Sequence, residues 1–534
     1  MQDRGIFDFI IIGAGSAGCV LANRLSNDPG TKVLLLEAGG HDKYFWVNVP
    51  IGYLFTMNNP RTDWCMSLEP ESGLNGRSLK YPRGKLLGGC SSINGMIYMR
   101  GQARDYDQWQ QMGNIGWGWD EVLPYFKKSE DYAHGIDEMH GVGGEWRVDE
   151  QRLSWEILSA FEDAAVEMGI PRTNDFNRGN NEGVGYFQVN QKKGARWSCS
   201  KAFLNPVRNR KNLEVLTGAE VSKIRFNNDR QATSVEYVHK GQFYRTVATQ
   251  EIILSAGAIK TPQIMELSGI GDPEKLKQNE IEVVNALPGV GENLQDHLQI
   301  RMVFKVNGVP TLNEKANSIL GRVSMALEYA LFRSGPLSMA PSQMGCFVKS
   351  DSMHETPNLE YHVQPLSAET LGAKLHPFPA VTASVCNLRP QSRGTVHIRN
   401  NDFKSSPIIK PNYLSAVEDK TIAVKGINMT RKICSQPALR KYNPIEIKPG
   451  DNITDHEDLV KAAGDIATTI FHPVGTCRMG HDSLSVVNDK LQVHGVDKLR
   501  IVDASIMPTI TSGNTNSPVI MISEKAASMI LSKQ

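Results

Sequence analysis

The spacing of apolar positions changes period twice within the first forty residues. An unbroken apolar run within Asp8 to Ile12, bounded by glycine, predicts a strand covered on both faces. Ser16 to Leu25 then has helical spacing, with Val20, Leu21 and Leu25 on its inner face. Lys32 to Leu36 is a second apolar run, closed by Glu37. Farther along, Trp155 to Met168 suits a helix, and Leu213 to Leu216 and Glu251 to Ser255 read as buried strands. Gly116 to Lys128 predicts a turn and a short helix capped by Asp120. Thr261 and Pro262 are expected to start a helix, because proline suits the first turn. Val519 to Ile530 is a closing helix. Ile319 to Phe332 places Ile319, Leu320, Val323, Leu327, Ala330 and Leu331 at helical spacing, which predicts a core-facing helix. A lid, a subunit contact or a membrane-touching patch is the alternative for that stretch.

Between the first strand and helix lie Gly13, Gly15 and Gly18, in the order G-x-G-x-x-G. The first allows a tight turn, the second lets the backbone approach a pyrophosphate, and the third lets helix and strand pack closely. The helix opening at Ser16 offers free N–H groups and the positive end of a dipole. Glu37 ends the second strand, where an acid accepts hydrogen bonds from ribose hydroxyls and repels a 2′-phosphate. Such a motif alone is weak evidence, but strand, glycines, helix, strand and acid in order supply the context it needs. It does not separate NAD from FAD.

The chain has 534 residues, 40% hydrophobic and 22% charged, with net charge +1. That size predicts two joined domains, and that balance argues against a nucleic-acid footprint. No apolar run reaches the length of a membrane span, and no signal peptide precedes the first strand. Eight scattered cysteines without C-x-x-C read as reduced thiols of a cytoplasmic protein, with no metal site. Contact with the inner face of a membrane is left open. His140, in a Gly-rich turn, reads as a surface histidine.

A second glycine-rich stretch, Tyr81 to Gly101, combines Gly84, Gly88, Gly89 and Gly95 with Ser91, Ser92 and Asn94. A third runs from Gly257 to Gly271. Together with the first motif and the C-terminal region, these resemble the glucose–methanol–choline (GMC) oxidoreductases, in particular the bacterial branch of choline dehydrogenase, aliphatic alcohol dehydrogenase and hydroxymethylfurfural oxidase. The resemblance spans nearly the whole chain. It implies an α/β fold, with a Rossmann-like FAD-binding domain and a discontinuous α+β substrate domain whose antiparallel sheet covers the flavin. The implied segments are 1–155, 206–297 and 466–534 for the first domain, and 156–205 and 298–465 for the second.

The same resemblance implies that Gly13, Gly15, Ser16, Gly18, Glu37 and Ala38 hold the cofactor. Gly89, Asn94, Gly95 and Met96 would line the flavin ring, and Val221 would meet the adenine. Asp503 and Ala504 would contact the pyrophosphate or ribityl region, with Thr515 and Asn516 on the flavin side. Some relatives attach FAD through a histidine just before the asparagine. Ile93 stands there and cannot form that bond, so the expected FAD is non-covalent. His297, within Asn293 to His297, is read as a structural hydrogen-bonding residue.

Oxidising an alcohol requires a base, and imidazole holds and releases a proton near neutrality. The resemblance assigns that role to His472, with Asn514 as its partner eleven residues after Asp503. The expected reaction is oxidation of a primary alcohol to the aldehyde, by hydride transfer to flavin N5. Electrons would pass to O2 or a quinone-type acceptor. The rival readings are a flavin-containing lyase, a photodecarboxylase, a non-redox flavoprotein and, on the first motif alone, a nicotinamide dehydrogenase. Monomer and homodimer both stay open.

Overall fold

The computed structural model describes residues 2–370 and 373–532. The chain opens with β1 (Gln2–Ile12), α1 (Ser16–Leu25) and β2 (Val33–Glu37). After loops and short helices come α2 (Glu156–Glu167) and β3 (Gly183–Tyr186). β4 (Leu213–Thr217), β5 (Ala219–Phe226), β6 (Ala232–His239) and β7 (Gln242–Leu254) lead into α3 (Gly257–Leu267). Next are β8 (Leu298–Lys305), α4 (Ile319–Phe332), β9 (Met344–Val348), β10 (Leu359–Gln364) and β11 (Ala380–Asn387). α5 (Val417–Cys434), β12 (Ile445–Lys448), β13 (Ala467–Thr469), β14 (Leu499–Ile501) and α6 (Asn516–Leu531) follow.

The first sheet has the order β4-β2-β1-β7-β6-β5, with β14 also paired to β7. β4, β2, β1, the end of β7 and β14 run parallel, whereas β5, β6 and β7 form an antiparallel meander. Phe9–Ile12 and Val33–Leu36 are buried on both faces, which explains their unbroken apolar runs. A Cβ at Gly18 would lie 1.8 Å from the Gly13 carbonyl oxygen, so the α1–β1 contact requires glycine. The parallel strands end together at Gly13, Glu37, Ser255 and Asp503. A crevice at the carboxyl ends of such strands is the usual ligand position in this architecture.

The second sheet is antiparallel, in the order β12-β8-β11-β10-β9-β3, with β13 beside β8. Side chains alternate across it with period two. One face carries Ile300, Met302, Tyr361, Val363, Ala383 and Val385, packed into a core with α2 and α5. The other carries Gln299, Arg301, Glu360, His362, Thr382 and Ser384. That polar face supplies Gln299 and His362 to the cavity described below.

Several local expectations change. β1 and β7 extend well beyond the apolar runs, because their exposed halves pair with each other and need no buried side chains. α3 starts at Gly257, so Pro262 lies inside it. The Ala258 carbonyl that a proline cannot serve accepts a bond from Thr476 Oγ1 at 2.6 Å instead. Asp120 sits in the first turn of its helix (Trp119–Ser129), and Gly118 is the cap. His140 is fully buried, stacked on Tyr132 and bonded to Glu130 and Asp175. Burial pulls its pKa down, but hydrogen bonds to those two acids hold it above the ordinary value.

The core-facing reading of α4 is overturned. Only Met325 and Tyr329 are buried, while Ile319, Leu320, Val323, Leu327 and Leu331 point to solvent. The helix rests on the Tyr53 segment through Tyr329 and leaves its wider apolar face uncovered. Among the described residues, no helix is long and apolar enough to cross a membrane. All eight cysteines are free thiols.

Candidate active site

A cavity of about 310 Å³ runs between the two sheets. Of the residues expected at the site, every one except Gly18 lines it. Gly18 acts beneath the surface, through the close helix–strand contact described above.

The dinucleotide half is built from backbone. Gly15, the N-cap of α1, makes no side-chain cap, which leaves the first N–H groups of the helix free beside the cavity. A Cβ on Gly15 would meet nothing within 4 Å, whereas one on Gly89 would lie 2.7 Å from Gly15 Cα. The two glycine-rich motifs are thus pressed together, with open space on the cavity side. Glu37 accepts from Ala14 N at 2.9 Å and Gly39 N at 2.7 Å. Burial pushes its pKa up to about 7 against the pull of those donors. Ala38 follows it on the wall, and Val221 on β5 closes the far end with Glu220.

The Asp503 carboxylate is engaged by protein: Gly257 N, Thr261 Oγ1 and Ser505 N all donate to it. It caps the 3-10 turn Ala504–Ile506 and serves the first N–H of α3, and Ala504 continues the wall beside it. Lys260 was not singled out by the sequence reading. Its ammonium lies over the Trp64 ring at 4.1 Å, and burial pushes its pKa down to about 8. A lysine within the third glycine-rich stretch was the available signal.

α6 points a second uncapped N-terminus at the same space. Ser16 Oγ donates to Asn516 Oδ1 at 2.6 Å, joining the starts of α1 and α6. Asn516 Nδ2, Ser255 Oγ and Asn514 Oδ1 are buried without partners. Buried polar atoms without partners are costly, and here they border a cavity. These unpartnered donors and the Asn514 acceptor, together with two helix N-termini and the Gly15 opening, fit a flavin dinucleotide. Asn94 Oδ1 is held by Met96 N and Arg196 Nη1, and Met96 takes a left-handed φ of 62°. Gly95 packs under Pro341, where a Cβ would come within 2.7 Å of Pro341 Cγ. Ile93 is buried beside Val47 and Leu86 and offers no nucleophile.

His472 follows β13, whose pairing with the start of β8 sets it opposite His297. Phe471 before it has φ 69°, a left-handed conformation that a bulky residue adopts only when its surroundings impose it. Arg83 donates to the Phe471 carbonyl, and His472 N donates to Asp296 Oδ1 at 2.7 Å. Asp296 is itself held by Tyr81, Tyr413 and Thr469 hydroxyls.

A tautomer chain runs through the two imidazoles. His297 Nε2 lies 3.0 Å from the Leu388 carbonyl oxygen, which only accepts, so Nε2 carries the proton. In the neutral ring Nδ1 then accepts from His472 Nδ1–H at 3.1 Å. His472 Nε2 keeps its lone pair, 3.1 Å from Asn514 Nδ2. Burial, reinforced by the positive charge of the nearby Arg83, holds the His472 pKa well below the ordinary imidazole value. The site therefore presents a neutral base and an amide donor side by side.

A dinucleotide crevice that meets a buried base and hydrogen-bond donor defines an oxidoreductase scaffold. The comparisons agree: residues 7–299 and 390–523 match the GMC oxidoreductase family, and the chain belongs to it. It is 42% identical over 531 residues to an alcohol dehydrogenase [acceptor] of Pseudomonas putida, covering 99% of this chain and 96% of the other. It is 39% identical to an oxygen-dependent choline dehydrogenase of Photobacterium profundum, covering 98% and 93%. Among solved structures, pyridoxine 4-oxidase from Mesorbium loti superposes with TM-score 0.87 at 30% identity, covering 98% of both chains.

Proposed function

We propose that this protein binds FAD non-covalently and oxidises a primary alcohol to the aldehyde. The reading rests on the His297–His472–Asn514 row, which leaves a neutral imidazole lone pair and an amide donor facing the cavity. FAD, when bound, accepts the hydride from the carbinol carbon. His472 Nε2 takes the hydroxyl proton, and Asn514 Nδ2–H donates to the substrate oxygen. His472 Nδ1–H stays bonded to His297, so the ring does not rotate as it charges. Gly13, Gly15, Ser16, Glu37 and the α6 N-terminus would hold the dinucleotide, and Asn94, Gly95 and Met96 would support its ring. Fixing the carbinol carbon against that ring supplies orientation. The electrons leave to O2 or to a quinone-type acceptor.

The test is anaerobic flavin absorbance during addition of primary alcohols, followed by oxygen. Bleaching supports the reading; an inert flavin with every alcohol sinks it. Peroxide on reoxidation assigns O2 as acceptor, and slow reoxidation rescued by a quinone assigns the other.

We further propose that α4 touches an anionic lipid surface. Its uncovered apolar face is of the kind that marks a docking surface. Exposed Arg152, Lys192, Lys193 and Arg333 gather at its C-terminal end, where Arg152 reaches the Phe332 carbonyl and Gly194 packs against Arg333.

A further inference from the structure

Strand alternation breaks just before His472. β13 pairs with the start of β8, Thr469 opposite Leu298, and Ile470 N still donates to the His297 carbonyl at 3.1 Å. Continued alternation would put Ile470 and His472 on one face and Phe471 on the other. Yet Ile470, Phe471 and His472 all line the cavity. The left-handed Phe471, with φ 69°, supplies the break. Pro473 then biases His472 itself towards extended backbone. Three consecutive side chains therefore border one space, through a conformation that a bulky residue avoids unless it is imposed.

Three side chains from separate parts of the chain impose it. Thr469 Oγ1 accepts from Phe471 N at 2.7 Å. Arg83 Nη2 donates to the Phe471 carbonyl oxygen at 2.8 Å. Asp296 Oδ1 accepts from His472 N at 2.7 Å. Both peptide groups flanking Phe471 are thus held, the second of them at its oxygen and at its nitrogen.

Asp296 joins these contacts. It is buried, and its second oxygen, Oδ2, accepts from the hydroxyls of Tyr81 at 2.8 Å, Tyr413 at 2.5 Å and Thr469 at 2.6 Å. Thr469 Oγ1 therefore donates to Asp296 and accepts from Phe471 N, using its hydroxyl in both directions. Asp296 and His297 are adjacent, so one short segment holds His472 twice. The carboxylate takes its backbone N–H, and the imidazole takes its ring Nδ1–H.

We propose that Asp296, Thr469 and Arg83 form a clamp that forces Phe471 into its left-handed conformation and thereby aims the His472 ring at the reacting hydroxyl. This rests on the alcohol-oxidation reading above. Asp296 and Thr469 act as positioning residues, since neither lines the cavity. A base fixed in place before the substrate arrives needs no reorientation at the moment of proton transfer, and a small misplacement is costly in rate.

The experiment follows flavin reduction in the holoenzyme by stopped flow, with a primary alcohol that bleaches it. Thr469→Val removes the hydroxyl and keeps the shape. It should lower the limiting rate of reduction about tenfold or more, while the alcohol concentration at half-saturation stays nearly unchanged. Thr469→Ser returns the hydroxyl and should recover most of that rate. Thermal unfolding then separates strain from packing. Phe471→Gly and Phe471→Ala both delete the ring, but only glycine enters the left-handed region freely, so Phe471→Gly should unfold at the higher temperature. An unaltered limiting rate in Thr469→Val, a Thr469→Ser enzyme equally slow, or Phe471→Gly no more stable than Phe471→Ala would each overturn the clamp. Failure of every alcohol to bleach the flavin would overturn the parent reading instead, while the two Phe471 variants still decide whether the backbone is strained.

Discussion

His297 Nδ1 and His472 Nδ1 lie 3.1 Å apart, with the rings nearly perpendicular at 79°. Because Leu388 fixes the proton on the far nitrogen of His297, this one contact decides which nitrogen of His472 is free. His297 thereby acts as a positioning residue. Its removal should uncouple the tautomer of His472 from the fold. His297→Ala is expected to slow flavin reduction about tenfold, and His297→Gln, whose amide oxygen can accept from His472 Nδ1–H, should recover part of that loss. Equal losses in both variants would assign His297 to packing alone.

His472→Ala should lower alcohol-dependent flavin reduction by about 10²- to 10⁴-fold, the usual contribution of a positioned base, with FAD still bound. Asn514→Ala should cost less, about 10- to 100-fold, as one hydrogen bond to a developing charge. Stopped-flow absorbance measures both. Normal reduction without His472 would remove the base assignment.

The pH profile follows from the lowered pKa of His472. The base form is required, so the rate falls only when pH drops through a value well below the ordinary imidazole pKa, and it is flat through neutrality. A wild-type limb centred at or above pH 6.5 would contradict the buried setting.

Acid precipitation of the holoenzyme should release the flavin into the supernatant, since Ile93 occupies the position where an attachment would form. Colour retained in the pellet would mean attachment elsewhere.

Thr476 serves the Ala258 carbonyl that Pro262 leaves open. Thr476→Val keeps the shape and orphans that oxygen, so it should cost about 1–3 kcal/mol, read as a lower unfolding midpoint. An unchanged midpoint would mean that water or a backbone shift replaces the bond.

For α4, binding to vesicles containing anionic lipid should be salt-sensitive and lost in Leu320→Asp combined with Leu327→Asp. Turnover of a water-soluble alcohol should persist. Unchanged sedimentation with vesicles would end the lipid proposal.

The parallel core was legible because burial on both faces leaves unbroken apolar runs, as at Ile10 to Ile12 and Leu34 to Leu36. The glycine turns were legible because close approach admits no other residue, as at Gly18. The expectation for His472 and Asn514 came from long ordered motifs that resemble a known family, since a lone histidine carries no sign of its role.

Tertiary structure decided the rest. His140 lies in a Gly-rich turn, yet Tyr132 stacks on it and Glu130 and Asp175 bond its two ring nitrogens. α4 has helical spacing, but periodicity says only that one face is apolar and not what covers it. The polar make-up of the cavity floor arises from strand register. Arg301 and His362 stand 61 residues apart in the chain, and only the pairing of β8, β11 and β10 sets them in one row. Local sequence fixes periodicity and turn chemistry, which are short-range. Which nitrogen is free and which face is covered depend on contacts between distant segments.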